Sequence, residues 1–267
     1  MASRSSADLE ALLGREVRVS NDANCFALSE ACDGAGKDAQ TVFGAILGTG
    51  VGGGIVVRGN VLVGPNAIAG EWGHNPLPWP TDDERPGAQC FCGHTGCIET
   101  FLSGPGLERD YFSATGKRLT SIDIESGAAG GDAGCEQAMR RYEARLARAL
   151  AHVINILDPD TIVLGGGMSN MQRLYAAVPT LWAAWIFSDR VDTALVRNVH
   201  GDSSGVRGAA WLWPGTDIRR ASHRPHRASA SYNHARTTTA QRASTANIAC
   251  SELQAFSGEK IHGKSLR

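Results

Sequence analysis

Three cysteines fall within eight residues, Cys90-Phe-Cys92-Gly-His-Thr-Gly-Cys97, and a histidine stands upstream in Glu71-Trp-Gly-His74. That spacing suits a metal ion better than disulfides, particularly in a chain whose start carries no export signal. Three thiolates and one imidazole make a closed tetrahedron, the donor set of structural zinc, with no position left for water. Zinc there would staple a long loop. The nitrogen ligand expected is His74 rather than His94, which sits inside the tight Cys92–Cys97 turn, so the ligand set is His74, Cys90, Cys92 and Cys97. Glu71 and Glu99 flank this segment without being ligands and are free to hydrogen-bond a polyol, although an isolated surface carboxylate reads the same way. Cys25, Cys32 and Cys135 read as core or surface thiols.

The chain has 267 residues, 42% hydrophobic and 20% charged, which is globular composition. No run approaches the roughly 18 to 20 apolar residues of a membrane helix, and Met1-Ala-Ser-Arg-Ser-Ser lacks the apolar core of a signal peptide. A cytoplasmic protein is expected. The net charge of -1 hides an asymmetry: residues 1–214 hold 17 Lys and Arg against 24 Asp and Glu, and residues 215–267 hold 9 against 3. An acidic body argues against nucleic acid as the main partner, because phosphate-backbone binding wants a basic face. Residues 215–267, rich in Ser, Thr, Ala and Arg, carry too few large apolar residues to offset their ordering entropy, so a domain over 1–214 and a disordered basic tail are expected.

Within the domain, strand and helix patterns alternate, the signature of an α/β fold. Glu16 to Ser20 reads as a short strand, Asn21-Asp22 as the start of a helix to about Ala35, and Thr41 to Leu47 as a buried strand. Gly48 to Gly54 reads as a glycine loop, followed by a strand from Ile55 and a hairpin turn at Gly59-Asn60. A long amphipathic helix is expected from Glu136 to Leu157, its apolar stripe formed by Met139, Tyr142, Leu146, Leu150, Val153, Ile154 and Leu157. Arg140, Arg141, Glu143, Arg145 and Arg148 lie elsewhere on its circumference. Thr161 to Leu164 is then a strand, Gly165-Gly166-Gly167 a tight turn, and Ser169 the start of another helix.

Three of these junctions can carry chemistry. Gly48, Gly50 and Gly53 satisfy the G-x-G-x-x-G pattern of dinucleotide sites, but that fingerprint opens a helix, whereas Ile55 to Val63 has strand and hairpin character. A glycine turn whose N–H groups form an anion nest, with Thr49 adding a hydroxyl, fits better, and phosphate is its natural guest. Leu164-Gly-Gly-Gly-Met could admit a nucleotide between a strand end and a helix, or could serve close packing alone. Asn21-Asp22-Ala-Asn24 sits at a strand-to-helix junction, where an Asp can take a proton from an alcohol or simply cap the helix.

Taken together, Asn21-Asp-Ala-Asn, Leu47-Gly-Thr-Gly-Val-Gly-Gly-Gly, Gly70-Glu-Trp-Gly-His, the Cys90–Glu99 segment and Val163-Leu-Gly-Gly-Gly resemble the ROK family of sugar kinases and repressors over residues 10–214. The resemblance implies an actin-like ATPase fold, of the ribonuclease-H-like α/β class, with a zinc-stapled loop. It implies Asp22 as the general base for a sugar hydroxyl, with Asn21, Glu71, His74 and Glu99 contacting the sugar. His74 with Cys90, Cys92 and Cys97 would hold zinc. Gly48, Thr49, Gly50, Gly52, Gly53 and Gly54 would take the phosphates of ATP with Mg2+, and Gly166 and Gly167 would line the adenosine pocket. Gly70 to Trp79 and Gly201 to Trp213 look most like the bacterial fructokinase branch, which makes fructose the expected hexose. Alternatives are an N-acetylglucosamine, glucose or mannose kinase, or a non-catalytic zinc-stabilised sugar-binding module. Members of the family are often homodimers. They also begin with a domain carrying Asp-x-Gly-Gly-Thr-Lys, which does not occur here, so the expectation is the C-terminal part of a two-domain kinase.

Overall fold

The protein's structure is a computed structural model that describes residues 2–213; the expected tail over 215–267 lies outside the described residues. The chain enters through helix α1 (Ala2–Leu13), which carries exposed Leu12, and then runs extended over residues 16–20. The strand expected there does not form, because no strand among the described residues pairs with it; the Val17 N–H instead donates to the Glu10 carboxylate at 3.0 Å. Helix α2 (Asp22–Cys32) comes next and stops short of the expected Ala35. Its last turn is closed by the Asp33 N–H, which donates to the Ser29 carbonyl.

A mixed sheet of five strands forms the centre: β1 (Thr41–Leu47), β2 (Val51–Val57), β3 (Asn60–Val61), β4 (Thr161–Gly165) and β5 (Ala194–Arg197). Its order is β3-β2-β1-β4-β5, with β2 antiparallel and β4 parallel to the central β1. Alternation along the strands decides which face each side chain covers. Val42, Val56 and Val163 pack with Phe26, Ala27 and Leu28 of α2 on one face. Phe43, Ala45, Leu47, Ile162 and Leu164 pack into the larger core on the other.

That larger core contains α3 (Ile98–Leu102), α4 (Gly104–Thr115), α5 (Ser121–Ala129), α6 (Ala133–Leu157) and α7 (Arg173–Trp182). Helix α8 (Ser204–Trp211) packs beside α2 on the first face. Helix α6 begins three residues before the expected Glu136, because Asp132 caps it by accepting the Cys135 N–H. It ends where Asp158 turns left-handed (φ 48°) ahead of Pro159. Met139, Tyr142, Leu146 and Leu150 are fully buried as the stripe required, and Arg145 and Arg148, which lie off that stripe, are buried too. The helix expected from Ser169 starts later, at Arg173: Gly167–Asn170 is a short 3-10 turn, held by Ser169 Oγ donating to the Gly166 carbonyl at 2.7 Å.

Candidate functional site

Residues 72–97 leave the sheet as a long excursion with only short 3-10 turns at Trp72–His74 and Asp82–Glu84 and isolated bridges at Pro76–Cys97 and Gln89–Thr95. So little backbone pairing leaves the cross-links to side chains. His74, Cys90, Cys92 and Cys97 each present one ligand atom, all within 4.8 Å of one another. Cys92 Sγ lies 3.6 Å from Cys97 Sγ, and Cys90 Sγ 3.6 Å from His74 Nδ1. A tetrahedron with Zn–S of about 2.3 Å and Zn–N of about 2.0–2.1 Å has edges of about 3.5–3.8 Å, so the donor set fits zinc. His94 Nδ1 approaches only Cys92 Sγ, at 3.5 Å, and stands outside the group of four.

The electrostatics of the three sulfurs favour a cation between them. The Cys92 thiol is held down to about 6 by the His94 backbone and then its ring, while burial and the neighbouring thiols push Cys97 up to about 12. One thiolate forms easily and opposes the next, a repulsion that a dication relieves. Cys25, Cys32 and Cys135 take no part in the group, and burial raises the pKa of each.

The glycine segment divides into two parts with different purposes. Only Gly48-Thr49-Gly50 forms the turn between β1 and β2; Gly52, Gly53 and Gly54 belong to β2 itself, a correction to the loop expected over 48–54. A Cβ on Gly54 would come 2.5 Å from the Ala23 carbonyl oxygen, and one on Gly53 2.7 Å from the Gly70 carbonyl oxygen. Those two glycines therefore admit α2 on one face and the Gly70–Trp72 segment on the other. No glycine between 48 and 54 has positive φ, so the αR–αL alternation of an anion nest is absent, and the glycines contribute room instead. That room is real at the tip, where a Cβ on Gly48 meets nothing within 4 Å and Thr49 is exposed. Gly167 is equally open, and Gly166 (φ 78°) lies against the Leu47 carbonyl. Register pairs Ile46 with Gly165, so both glycine turns emerge side by side at the carboxyl ends of parallel β1 and β4. Open α/β sheets admit ligands at that edge.

Asn21 and Asp22 stand at the head of α2. Asn21 Oδ1 accepts the Asn24 N–H at 2.7 Å and is the N-cap of α2, while its Nδ2 donates to Glu71 Oε1 at 3.2 Å. Asp22 is exposed at the first helical position, with Oδ1 accepting the Ala23 N–H at 2.9 Å; no other hydrogen bond or ion pair engages it among the described residues. Ala23 meets β2 across Gly52, where a Cβ would come 3.4 Å from the Ala23 Cβ. Glu99 uses one carboxylate oxygen within the fold, Oε2 accepting the Val51 N–H at 2.9 Å, while Oε1 lies 3.9 Å from Cys90 Sγ. Asn21, Asp22 and Glu71 thus gather at one place, Gly48–Gly50 with Gly166 and Gly167 at another, and the four metal donors at a third. Gly53 and Gly54 are packed away, and Gly52 is half-buried beside Ala23.

Sequence reasoning missed how the excursion is fastened. Glu84 is buried, accepting from Arg145 Nε at 2.8 Å and from Arg148 Nη2 at 2.7 Å, with Thr81 N–H at 2.9 Å. Its place in Asp82-Asp83-Glu84 disguised it as solvated charge. Glu30 was missed too: fully buried in α2, it accepts from the Ala35, Val199 and His200 N–H groups and from Ser204 Oγ, joining α2 to the start of α8.

This arrangement has counterparts. An N-acetyl-D-glucosamine kinase of Vibrio vulnificus (strain YJ016) is 42% identical over 210 residues, which are 77% of this chain and 69% of that protein. A ROK hexokinase structure from Thermus thermophilus superposes with a TM-score of 0.69 at 30% identity, covering 77% of this chain and 67% of that one. A ROK family glucokinase from Streptomyces griseus, in complex with glucose and AMPPNP, gives 0.66 at 28% identity, covering 78% and 71%. Residues 6–216 match the ROK family as a whole. With its actin-like ATPase fold and this match over most of its length, the chain belongs to the ROK family.

Proposed function

We propose that the protein phosphorylates a sugar hydroxyl with ATP, and that the sugar is N-acetylglucosamine rather than the fructose first expected. The observation that carries the reaction is the division of labour at the head of α2. Asn21 caps the helix and donates to Glu71, which leaves the Asp22 carboxylate exposed at the first helical position, beside the Ala23 that meets β2 across Gly52. The choice of sugar rests on N-acetyl-D-glucosamine kinases at 41–44% identity, among them proteins of Vibrio and Photobacterium.

Asp22 serves as the base. It accepts the hydroxyl proton as the sugar oxygen bonds to the γ-phosphorus and the bond from that phosphorus to the bridging oxygen of ADP breaks. Asn21 and Glu71 orient the sugar. His74, with Nδ1 turned into the metal group, keeps Nε2 for a second hydroxyl, and Glu99 keeps Oε1. The Gly48-Thr49-Gly50 tip receives the phosphates, and Gly166-Gly167 the nucleoside. Mg2+ with the nucleotide would offset phosphate charge. Zinc held by His74, Cys90, Cys92 and Cys97 would fix the loop that bears the sugar-facing groups and would take no part in bond breaking. The test is ADP release from Mg-ATP with N-acetylglucosamine, fructose, mannose and glucose in turn. Turnover dependent on N-acetylglucosamine supports the reading. Preference for fructose overturns the sugar assignment, and silence with all four overturns the kinase.

A further inference from the structure

Val51, the first residue of β2 after the glycine tip, is gripped from both ends of the metal excursion. On one side Gly73, next to His74, lies so close that a Cβ there would come 2.0 Å from the Val51 carbonyl oxygen. On the other, Glu99 Oε2 accepts the Val51 N–H at 2.9 Å, while its Oε1 sits 3.9 Å from Cys90 Sγ. The same carboxylate fills the space beside Gly50, where a Cβ would come 2.8 Å from Oε2. The segment after Glu99 holds the other end of the turn, with the Gly104 N–H donating to the Gly48 carbonyl at 2.8 Å. Within the glycine tip the Gly48 N–H donates to the Gly50 carbonyl at 2.9 Å, and Glu99 and Gly104, just beyond Cys97, fasten it from outside.

We propose that Glu99 is a positioning residue that couples the metal loop to the phosphate-binding turn, so that metal occupancy sets nucleotide affinity without the metal touching nucleotide. A carboxylate accepting a backbone N–H is among the stronger hydrogen bonds of a protein and holds Val51, hence Gly50, in one place. Emptying the metal group frees Cys97, two residues before Glu99, and Cys90, whose Sγ lies 3.9 Å from Glu99 Oε1, and the tip then samples conformations that binding must again restrict. This inference rests on the reading of Gly48–Gly50 as a nucleotide site, and its test separates the two.

The experiment compares the zinc-loaded full chain with Glu99→Ala and Glu99→Gln, and with the wild type after chelation. Each is read by amide hydrogen exchange at Val51, zinc content and affinity for Mg-ADP. Glu99→Ala is expected to keep its zinc, to speed Val51 exchange about tenfold or more and to weaken Mg-ADP several-fold. Glu99→Gln, whose carbonyl can still accept the N–H, restores most of both. Chelation of the wild type moves both readouts in the direction of Glu99→Ala. Unchanged Val51 exchange in Glu99→Ala, failure of Glu99→Gln to rescue, or chelation without effect on Val51 each overturn the coupling. If the alanine variant does not fold, the glutamine and chelation arms decide. Should Val51 respond as expected while even the wild type binds no Mg-ADP, the nucleotide reading fails and the brace stands.

Discussion

At the residue scale, Asn21 and Asp22 show how a motif divides its work. Both residue types are good helix caps, and the sequence left open which of the two does the capping. In the structure Asn21 takes the Asn24 N–H and Asp22 stays exposed. Asp22→Asn should therefore lower kcat by about 10²–10⁴-fold with the melting temperature unchanged and sugar KM within a few-fold. An unchanged kcat removes Asp22 as base. Asn21→Ala should behave differently, losing about 1 kcal/mol with the cap and raising sugar KM through loss of the Glu71 contact. Glu30 carries the opposite lesson. A fully buried carboxylate with four donors has no cation near it in sequence, and only the fold shows why it is there. Glu30→Ala strands those donors, so equilibrium unfolding should show a loss of about 3 kcal/mol or more.

At the scale of elements, the excursion over 72–97 is clipped to α6 by one buried carboxylate between two guanidinium groups. Burial alone would raise the Glu84 pKa, but hydrogen bonds from Arg148 and Arg145 and the Thr81 N–H outweigh it and hold the group down to about 2. Its folded pKa lies below the unfolded value of about 4.3. The stability it contributes is therefore complete above about pH 4.3 and is lost as pH falls toward 2. Urea midpoints measured from pH 7 to 2 should fall steeply over that window, and Glu84→Gln should flatten the fall while lowering the pH 7 midpoint. An identical acid limb in the variant would show that Glu84 is not the titrating group. The apolar stripe of α6 was legible because its period is helical. Arg145 and Arg148 were not, since a period tells which side chains share a face, not which polar flank another segment will cover.

At the scale of the whole molecule, the sheet and the site differ in how much the sequence disclosed. Strands β1 and β4 and helix α6 follow from apolar pattern, and the metal donors follow from residue chemistry, because three thiols and a histidine have few other uses. The glycines of 48–54 were read as one loop because glycine answers two needs, conformational freedom and close approach, that look alike in sequence. Only the packing of Gly53 and Gly54 against backbone separates them. The same division predicts how the molecule would respond to loss of the proposed zinc. The core around α6 contains Trp72 and Leu77 from the excursion, but its bulk comes from the sheet and helices. Cys92→Ser should therefore carry less than one zinc per chain and keep its far-UV circular dichroism, while its melting temperature drops by about 10 °C, as expected for a site worth a few kcal/mol in a domain of this size. Sugar affinity should fall with it, since His74 belongs to the loop that loosens and Glu99 stands at the start of α3, two residues beyond Cys97. Full zinc content in Cys92→Ser would break the ligand assignment. Loss of the circular dichroism signal along with the zinc would instead show that the metal organises the whole fold, not the loop alone.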